Sequence, residues 1–309
     1  MGLVNSAIIH AIPFVPRGWI RRVAGRYIAG ESRADALEKV RANHRAGLLS
    51  TVDMLGENAA SAETARKATE EYLALVEDLA ALRLGAEVSV KLTLLGLRLA
   101  ESVAREHVEE IVKAGARLGT PVTIDMEDST TTDATLRIFR GLREKQENVG
   151  VAIQAYLRRS AGDVASILPL RPAVRVCKGI YTERPEVALT DRHAIRESFL
   201  HLTTLLLDGG GYPAIATHDS WLVARALDLL RERGRKPEDH EFQMLLGVGE
   251  ALRPRILAAG SRLRLYCPFG ADWYEYSIRR LRENPKMAGY ILRSLLRPRV
   301  SSSGGPRRA

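Results

Sequence analysis

The sequence predicts an α/β chain folded as a (β/α)8 TIM-like barrel, with extra helices before it and a final helix over its C-terminal rim. Three observations carry this. Eight short runs of β-forming residues recur along the chain, longer stretches of helical period separate them, and no tight hairpin signal joins neighbouring runs. Strand and helix alternating in this way give parallel strands. Eight of them in a row fit a closed barrel better than the alternative, an open doubly wound sheet.

The runs are Leu48–Leu55, Glu87–Leu92, Val122–Glu127, Val149–Tyr156, Ala173–Gly179, Ala214–His218, Glu241–Leu246 and Arg262–Pro268. Several, such as VSVKL and VRVCKG, are apolar along both faces in places, as strands covered by helices are. Ala62–Leu84 places apolar residues at helical spacing with Glu and Lys opposite, and Leu99–Leu118, Thr132–Lys145, Arg192–Asp208 and Trp221–Gly234 repeat the pattern. Residues 1–45 lack β runs and read as a helical arm. The barrel is assigned to residues 46–298, and residues 299–309, mostly SSSGGPRRA, to a disordered tail.

A hydrophobic content of 46% and a charged content of 27% are those of a globular protein. The net charge of +9 collects at the ends, with Arg17, Arg21, Arg22 and Arg26 near one and Arg293, Arg297, Arg299, Arg307 and Arg308 near the other. Such charge reads first as solvated helix surface, and second as contact with an anionic membrane. Ile12–Ile28 can form a basic amphipathic helix lying on a membrane, and no run is long enough to cross one. No aromatic–basic platform or recognition helix supports nucleic acid as a partner. Cys177 and Cys267 each lie in an apolar run and read as small buried hydrophobes. A cytoplasmic protein, with peripheral contact on the inner face of the cell membrane as an option, is the expectation.

Barrel chemistry sits where strands end. Polar groups fall there in every run: Asp53 and Glu57; Lys91 and Thr93; Asp125, Glu127 and Asp128; Gln154 and Tyr156; Arg175, Lys178 and Tyr181; Thr217, His218 and Asp219; Gln243 near Leu245; and Tyr266. A charge inside a barrel is costly unless paired or used. Lys91, within VSVKLTLL, therefore needs an anionic partner, and Asp125 of VTIDM is its natural counter-charge. Arg175 and Lys178 on one strand can face a phosphate or an anionic ring. An internal ion-pair network is the bland alternative for the whole group. Beyond the last run, Tyr276, Arg279, Arg280 and Glu283 form one polar helical stripe. Adjacent arginines there can grip both oxygens of a carboxylate. No P-loop, HExxH or Gly-x-Ser-x-Gly sequence is present, the glycine fingerprint at Gly247-Val-Gly249 is incomplete, and the scattered histidines offer no metal-ligand spacing.

Eight segments in order resemble the proline dehydrogenase family, monofunctional bacterial type. They are DMLGE (Asp53–Glu57), SVKLTLLGL (Ser89–Leu97), TIDMED (Thr123–Asp128), QAY (Gln154–Tyr156), RVCKGIY (Arg175–Tyr181), ATH (Ala216–His218), EFQMLLGVGE (Glu241–Glu250) and YCPFGADWYEYSIRRLREN (Tyr266–Asn284). The resemblance implies FAD bound on the C-terminal rim, and hydride transfer from the ring of L-proline to flavin N5 to give Δ1-pyrroline-5-carboxylate, the first step of proline catabolism to glutamate. By motif position, Arg175 approaches N5 and Gln154 bonds the flavin ring. Cys177, Lys178, Gly179 and Ile180 carry the pyrophosphate and neighbouring contacts, and Thr217 and His218 the adenosine side. Arg279, Arg280 and Lys91 hold the proline carboxylate, while Asp125, Tyr181, Leu245, Tyr266 and Tyr276 enclose the ring. Glu57 pairs with Arg279 as a gate. The same resemblance implies a quinone or other electron acceptor and a separate pyrroline-5-carboxylate dehydrogenase downstream. Cys177 stands where an aliphatic residue is usual in the family, and Ile180 where a smaller one is frequent. Tyr266 favours proline over hydroxyproline.

Overall fold

A computed structural model describes residues 25–274 and 276. It divides into two compact units, one spanning Tyr27–Ala271 and the other combining Met1–Arg26 with Asp272–Ala309. Most of the second unit, including residues 1–24 of the expected helical arm, the stripe at Arg279 and Arg280 and the polar tail, lies outside the described residues, whereas the end of that arm forms a helix, Arg33–Arg45, in the first unit.

In the first unit, helix α1 (Arg33–Arg45) precedes β1 (Leu49–Met54), α2 (Ala62–Leu82), β2 (Glu87–Val90), α3 (Glu101–Leu118), β3 (Val122–Ile124), α4 (Thr132–Arg143), β4 (Val149–Gln154) and α5 (Ser160–Ile167). Then follow β5 (Ala173–Cys177), α6 (Arg192–Asp208), β6 (Tyr212–Ala216), α7 (Ser220–Glu232), β7 (Glu241–Leu245), α8 (Arg253–Ala258) and β8 (Arg262–Phe269). Each strand pairs in parallel with the next, and β1 closes on β8 in register Thr51 to Tyr266, so the sheet is a closed barrel rather than an open doubly wound one. Among the described residues no helix is long and apolar enough to cross a membrane.

Polar side chains begin the helices. Ser32 caps α1 and forms a capping box with Asp35, Ser61 accepts from the Thr64 amide to start α2, and Asp191 and Asp219 do the same for α6 and α7. Seven of the eight strands end sooner than their runs. The third stops at Ile124 and not at Glu127, the fourth at Gln154 and the fifth at Cys177. The chain beyond those points turns outward, so the polar ends of the runs become loops on the C-terminal rim. Helices α5 and α8, too short for a clear period, are found only in the structure.

The core lies between sheet and helices. Val52, Val88, Val90, Ile124, Val151, Val174, Ile215 and Phe242 point outward from the strands and pack in one cluster with Tyr72, Ile111, Phe139, Phe199 and Leu222 of the helices. Alternate positions carry Thr51, Asp53, Glu87, Ser89, Thr123, Arg175, Glu241, Gln243 and Arg264, all buried. The expectation of two apolar faces is therefore corrected: the outer face is apolar and the inner face largely polar. Barrel interiors are usually filled by Val, Ile and Leu. Here Gly150 and Ala152 on β4 and Ala214 on β6, small inward residues on the two strands that flank β5, leave room for the long inward side chains.

Helix α3 comes close to the strand that follows it. A Cβ on Gly115 would sit 2.5 Å from the carbonyl oxygen of Thr120, whereas one on Gly141 of α4 would meet nothing within 4 Å. Gly115→Ala should therefore cost about 1–3 kcal/mol by overpacking. Gly141→Ala should add up to about 1 kcal/mol, as alanine does in an open helical position. Urea unfolding of both variants checks this, and a Gly115→Ala protein as stable as its parent would refute the close approach.

Candidate active site

The inward rows of the barrel place charges within contact of one another, and each is matched. Lys91 follows β2 and donates from Nζ to both oxygens of Asp53 on β1, at 2.6 and 2.7 Å. Asp125, just past β3, accepts from Ser89 Oγ at 2.8 Å, from the Tyr266 hydroxyl at 2.8 Å and from Arg175 Nη1. The guanidinium of Arg175 also donates through Nε to Gln243 at 2.6 Å and through Nη2 to Glu87 at 2.9 Å, and it lies 5.2 Å from the centre of the Tyr266 ring. Lys91 thus pairs with Asp53 and not with Asp125. Both β1 and β3 flank β2, but Asp125 is taken by Arg175, Ser89 and Tyr266, which leaves Asp53 for Lys91.

Burial sets the electrostatics. It pushes the Asp53 carboxyl up to about 6, with the attraction of Lys91 acting against it and repulsion from Asp125 adding to it. Burial also works against the charge of Lys91, but Asp53 and Asp125 outweigh it and hold the ammonium above its ordinary value. Arg175 behaves likewise, with Asp125 and Glu87 overcoming desolvation. Glu127 is raised by burial, although Thr93 donates to both its oxygens, one through the amide at 3.0 Å and one through the hydroxyl. Gln154 donates at 2.8 Å to the backbone carbonyl of Glu127, tying the ends of β3 and β4.

A second polar cluster lies where β5 and β6 end. Asp219 caps α7 and accepts from Arg196 through two bonds of 2.9 and 2.8 Å and from Lys178 Nζ at 3.1 Å, with Arg192 at 3.7 Å. Burial would raise the Asp219 carboxyl, but Arg196 and Lys178 hold it well below the usual carboxylate range. Three cations around one carboxylate leave positive charge at the rim. Beside them Gly179 has φ +111°, and a Cβ there would lie 2.2 Å from the ring of Tyr156, so this turn admits only glycine. His218 accepts from the Leu245 amide at 2.8 Å through Nε2, which fixes the ring against β7.

A barrel with its polar groups gathered in this order matches one known family. The model of the family described as proline dehydrogenase matches residues 36–292. The chain belongs to the proline dehydrogenase family. It is 37% identical over 274 residues to proline dehydrogenase 1 of Bacillus subtilis, covering 89% of this chain and 91% of that one. Proline dehydrogenase of Deinococcus radiodurans is 34% identical over 280 residues, covering 89% and 90%. Among solved structures, proline utilization A (PutA) from Bdellovibrio bacteriovorus, inactivated by N-propargylglycine, superposes with a TM-score of 0.80 at 27% identity over 88% of this chain. The chain spans about a third of that PutA, 34% of its length.

Of the residues singled out in the sequence, the structure gathers Lys91, Asp125, Arg175 and Tyr266 into one network. It places Gln154, Thr217, His218 and Leu245 at neighbouring strand ends. Glu57 is half-buried in the loop after β1. Tyr181 lies in the loop after β5, where its carbonyl accepts from the Tyr156 hydroxyl at 3.1 Å. Ile180 is exposed. Cys177 is half-buried rather than buried, and burial pushes its thiol up to about 12, so it is no nucleophile at neutral pH. Lys178, just past the end of β5, turns to Asp219 while Arg175 turns into the barrel, so the two cations face different groups. Tyr276 belongs to the second unit, and Arg279 and Arg280 lie outside the described residues.

Sequence reading passed over Arg196, Glu87, Glu241 and Arg264. Arg196 looked like the polar face of a helix. The other three carried a usable signal: EVSVK, EFQML and RLRLY alternate polar and apolar residues with period two, which marks a polar inward face.

The Asp53 titration has a definite sign. Its carboxyl sits at about 6 in the fold, against 3.8 ordinarily, so between those values the folded state holds a proton that the unfolded state releases. Its contribution is present at low pH and declines as pH rises from about 4 to 6, by on the order of 3 kcal/mol in all. The stability difference between the parent and Asp53→Asn should shrink accordingly over that window in urea unfolding. A difference that does not vary with pH would show that Asp53 is an ordinary carboxylate.

Proposed function

We propose that this chain oxidises L-proline to Δ1-pyrroline-5-carboxylate with FAD as its cofactor and passes the electrons to a quinone or another acceptor. The observation that carries this reading is the group of buried Lys91, Asp53 and Arg175 with half-buried Asp125 and Tyr266, in a barrel of the proline dehydrogenase family. An ammonium, a guanidinium and an aromatic ring around one small space suit a compact zwitterion better than a neutral or polymeric substrate.

The donor set fits a flavin dinucleotide. Its pyrophosphate is anionic, and Lys178, Arg192 and Arg196 leave net positive charge about Asp219. The strained Gly179 turn brings bare backbone to the same edge. Gln154, Thr217 and His218 stand on the strands to either side and would hold the ring and the adenosine half. When bound, FAD accepts the hydride from the ring carbon next to nitrogen.

The protein's own part is orientation, charge balance and exclusion of water. Lys91 holds the substrate carboxylate, in this reading together with Arg279 and Arg280. Tyr266 packs against the ring and is itself fixed by Asp125. Arg175, fixed by its partners, would supply positive charge to the bound flavin. No strong nucleophile is needed, which agrees with the raised thiol of Cys177.

Purified protein should show flavin absorption that bleaches on addition of L-proline without oxygen. Bands that persist would discard proline and keep the flavin, and a colourless protein that FAD cannot reconstitute would discard both. Arg280→Met should raise KM about 30-fold or more, as the loss of about 2 kcal/mol or more from a charged hydrogen-bonded pair does. Steady-state kinetics at unchanged flavin content give the answer, and an unaltered KM would remove Arg280 from the carboxylate site.

A further inference from the structure

We propose that Glu87 and Gln243, in the N-terminal half of the barrel, are positioning residues that fix the plane of Arg175 and set the charge it presents to the flavin. The inference rests on the reading above that Arg175 lies beside the hydride-accepting atom.

A guanidinium is flat, and its donors point in fixed directions. Arg175 uses Nη1 on the rim side, toward Ser89 and Asp125. Its other two nitrogens are held from below: Nε by Gln243 Oε1 at 2.6 Å and Nη2 by Glu87 Oε1 at 2.9 Å. Three strands therefore determine one plane, and two of the three grips come from the side away from the rim.

Those two grips are themselves anchored. Glu87 accepts from the Thr51 hydroxyl at 2.5 Å, and its second oxygen lies 3.9 Å from Arg264 Nε. Gln243 donates from Nε2 to Glu241 Oε1 at 2.6 Å, and Glu241 is held by Arg264 at 2.7 and 3.1 Å. The carboxylate at one end and the guanidinium at the other leave the amide of Gln243 a single orientation, oxygen toward Arg175. The Arg264–Glu241 pair thus sets Gln243, and Gln243 sets Arg175. This tier lines a cavity of about 280 Å³ among the N-terminal strand ends.

Glu87 and Gln243 act differently. Glu87 supplies a full negative charge as well as a bond, so it moderates the positive field of Arg175. Gln243 supplies only geometry. In Glu87→Gln the amide oxygen still accepts from Nη2 but the charge is gone. The field of Arg175 then favours the more negative, reduced flavin. The two-electron reduction constant should rise about tenfold, which is about 30 mV upward in midpoint potential. In Gln243→Met the charge is kept and the bond to Nε is lost. There kcat should fall about tenfold while KM for proline stays within about twofold and the potential stays at the parent value.

The test is potentiometric titration and steady-state kinetics of flavin-loaded Glu87→Gln, Gln243→Met, Glu147→Gln and Arg175→Lys. Glu147 is an exposed carboxylate lining the same cavity. Its variant should match the parent, which separates direct contact from the general field of the cavity mouth. Gln243→Met carries the test even where Glu87→Gln is poorly folded. A potential shift in Glu87→Gln alone, together with a kcat loss in Gln243→Met alone, supports the proposal. Parent-like behaviour of both, beside an altered Arg175→Lys, overturns it and leaves the reading of Arg175 intact. A parent-like Arg175→Lys overturns that reading first.

Discussion

Arg175 sits in the middle of a barrel, a place that strongly disfavours charge, because Asp125 and Glu87 face it from opposite sides. Removing either carboxylate would leave a buried cation short of half its compensation, a loss of several kcal/mol in the usual case. The other inward groups are arranged around that requirement. Ser89 and Gln243 take the remaining directions of the guanidinium, Tyr266 covers it and is held by Asp125, and Glu241 with Arg264 anchors Gln243. A half-satisfied network of this kind is worse than an apolar core, so its members stand or fall together.

Stability must then come from elsewhere. The outward faces of the strands and the inner faces of the helices supply it, in one continuous apolar cluster that encircles the sheet. The division of labour is spatial: non-directional burial outside the sheet holds the barrel closed, and directional bonds inside it specify where charges stand. Mutations on the two sides should differ in kind. Outside, the cost scales with volume lost. Inside, it scales with the charge or donor left unmatched.

The fold was legible because period and punctuation agree. Eight short runs and the helices between them point to the same alternation, the caps found in the structure agree with it, and the closed pairing of β1 with β8 decides between barrel and open sheet. The candidate site was legible where one residue contradicts its surroundings, as Lys91 does in VSVKL. Partnerships were not legible, because they depend on which strand lies next to which. Asp53 and Lys91 are joined by the neighbouring positions of β1 and β2, and Arg196 meets Asp219 only once α6 follows β5 around the barrel. The tier of Glu87, Glu241 and Arg264 was passed over because barrel chemistry directs attention to the C-terminal ends of the strands, and these three stand near the starts.

The charge count of the interior links these parts to function. Among the described residues, Lys91, Arg175 and Arg264 face Asp53, Glu87, Asp125 and Glu241, and Glu127 stands nearby, so carboxylates outnumber cations. An excess of negative charge in a closed space is relieved by taking up protons. Asp53 and Glu127 are the two carboxyls of this group that are raised, and Asp53 is the one bound to the proposed substrate ligand Lys91. On the proposed reading, a substrate carboxylate arriving at Lys91 would add one more negative charge at that point and compete with Asp53 for the same ammonium. Binding at the rim and protonation of Asp53 are therefore linked, and each must favour the other by the same free energy. On that reading the buried pair would be more than a counter-ion: the affinity of Lys91 for an anion would depend on a proton held one strand away.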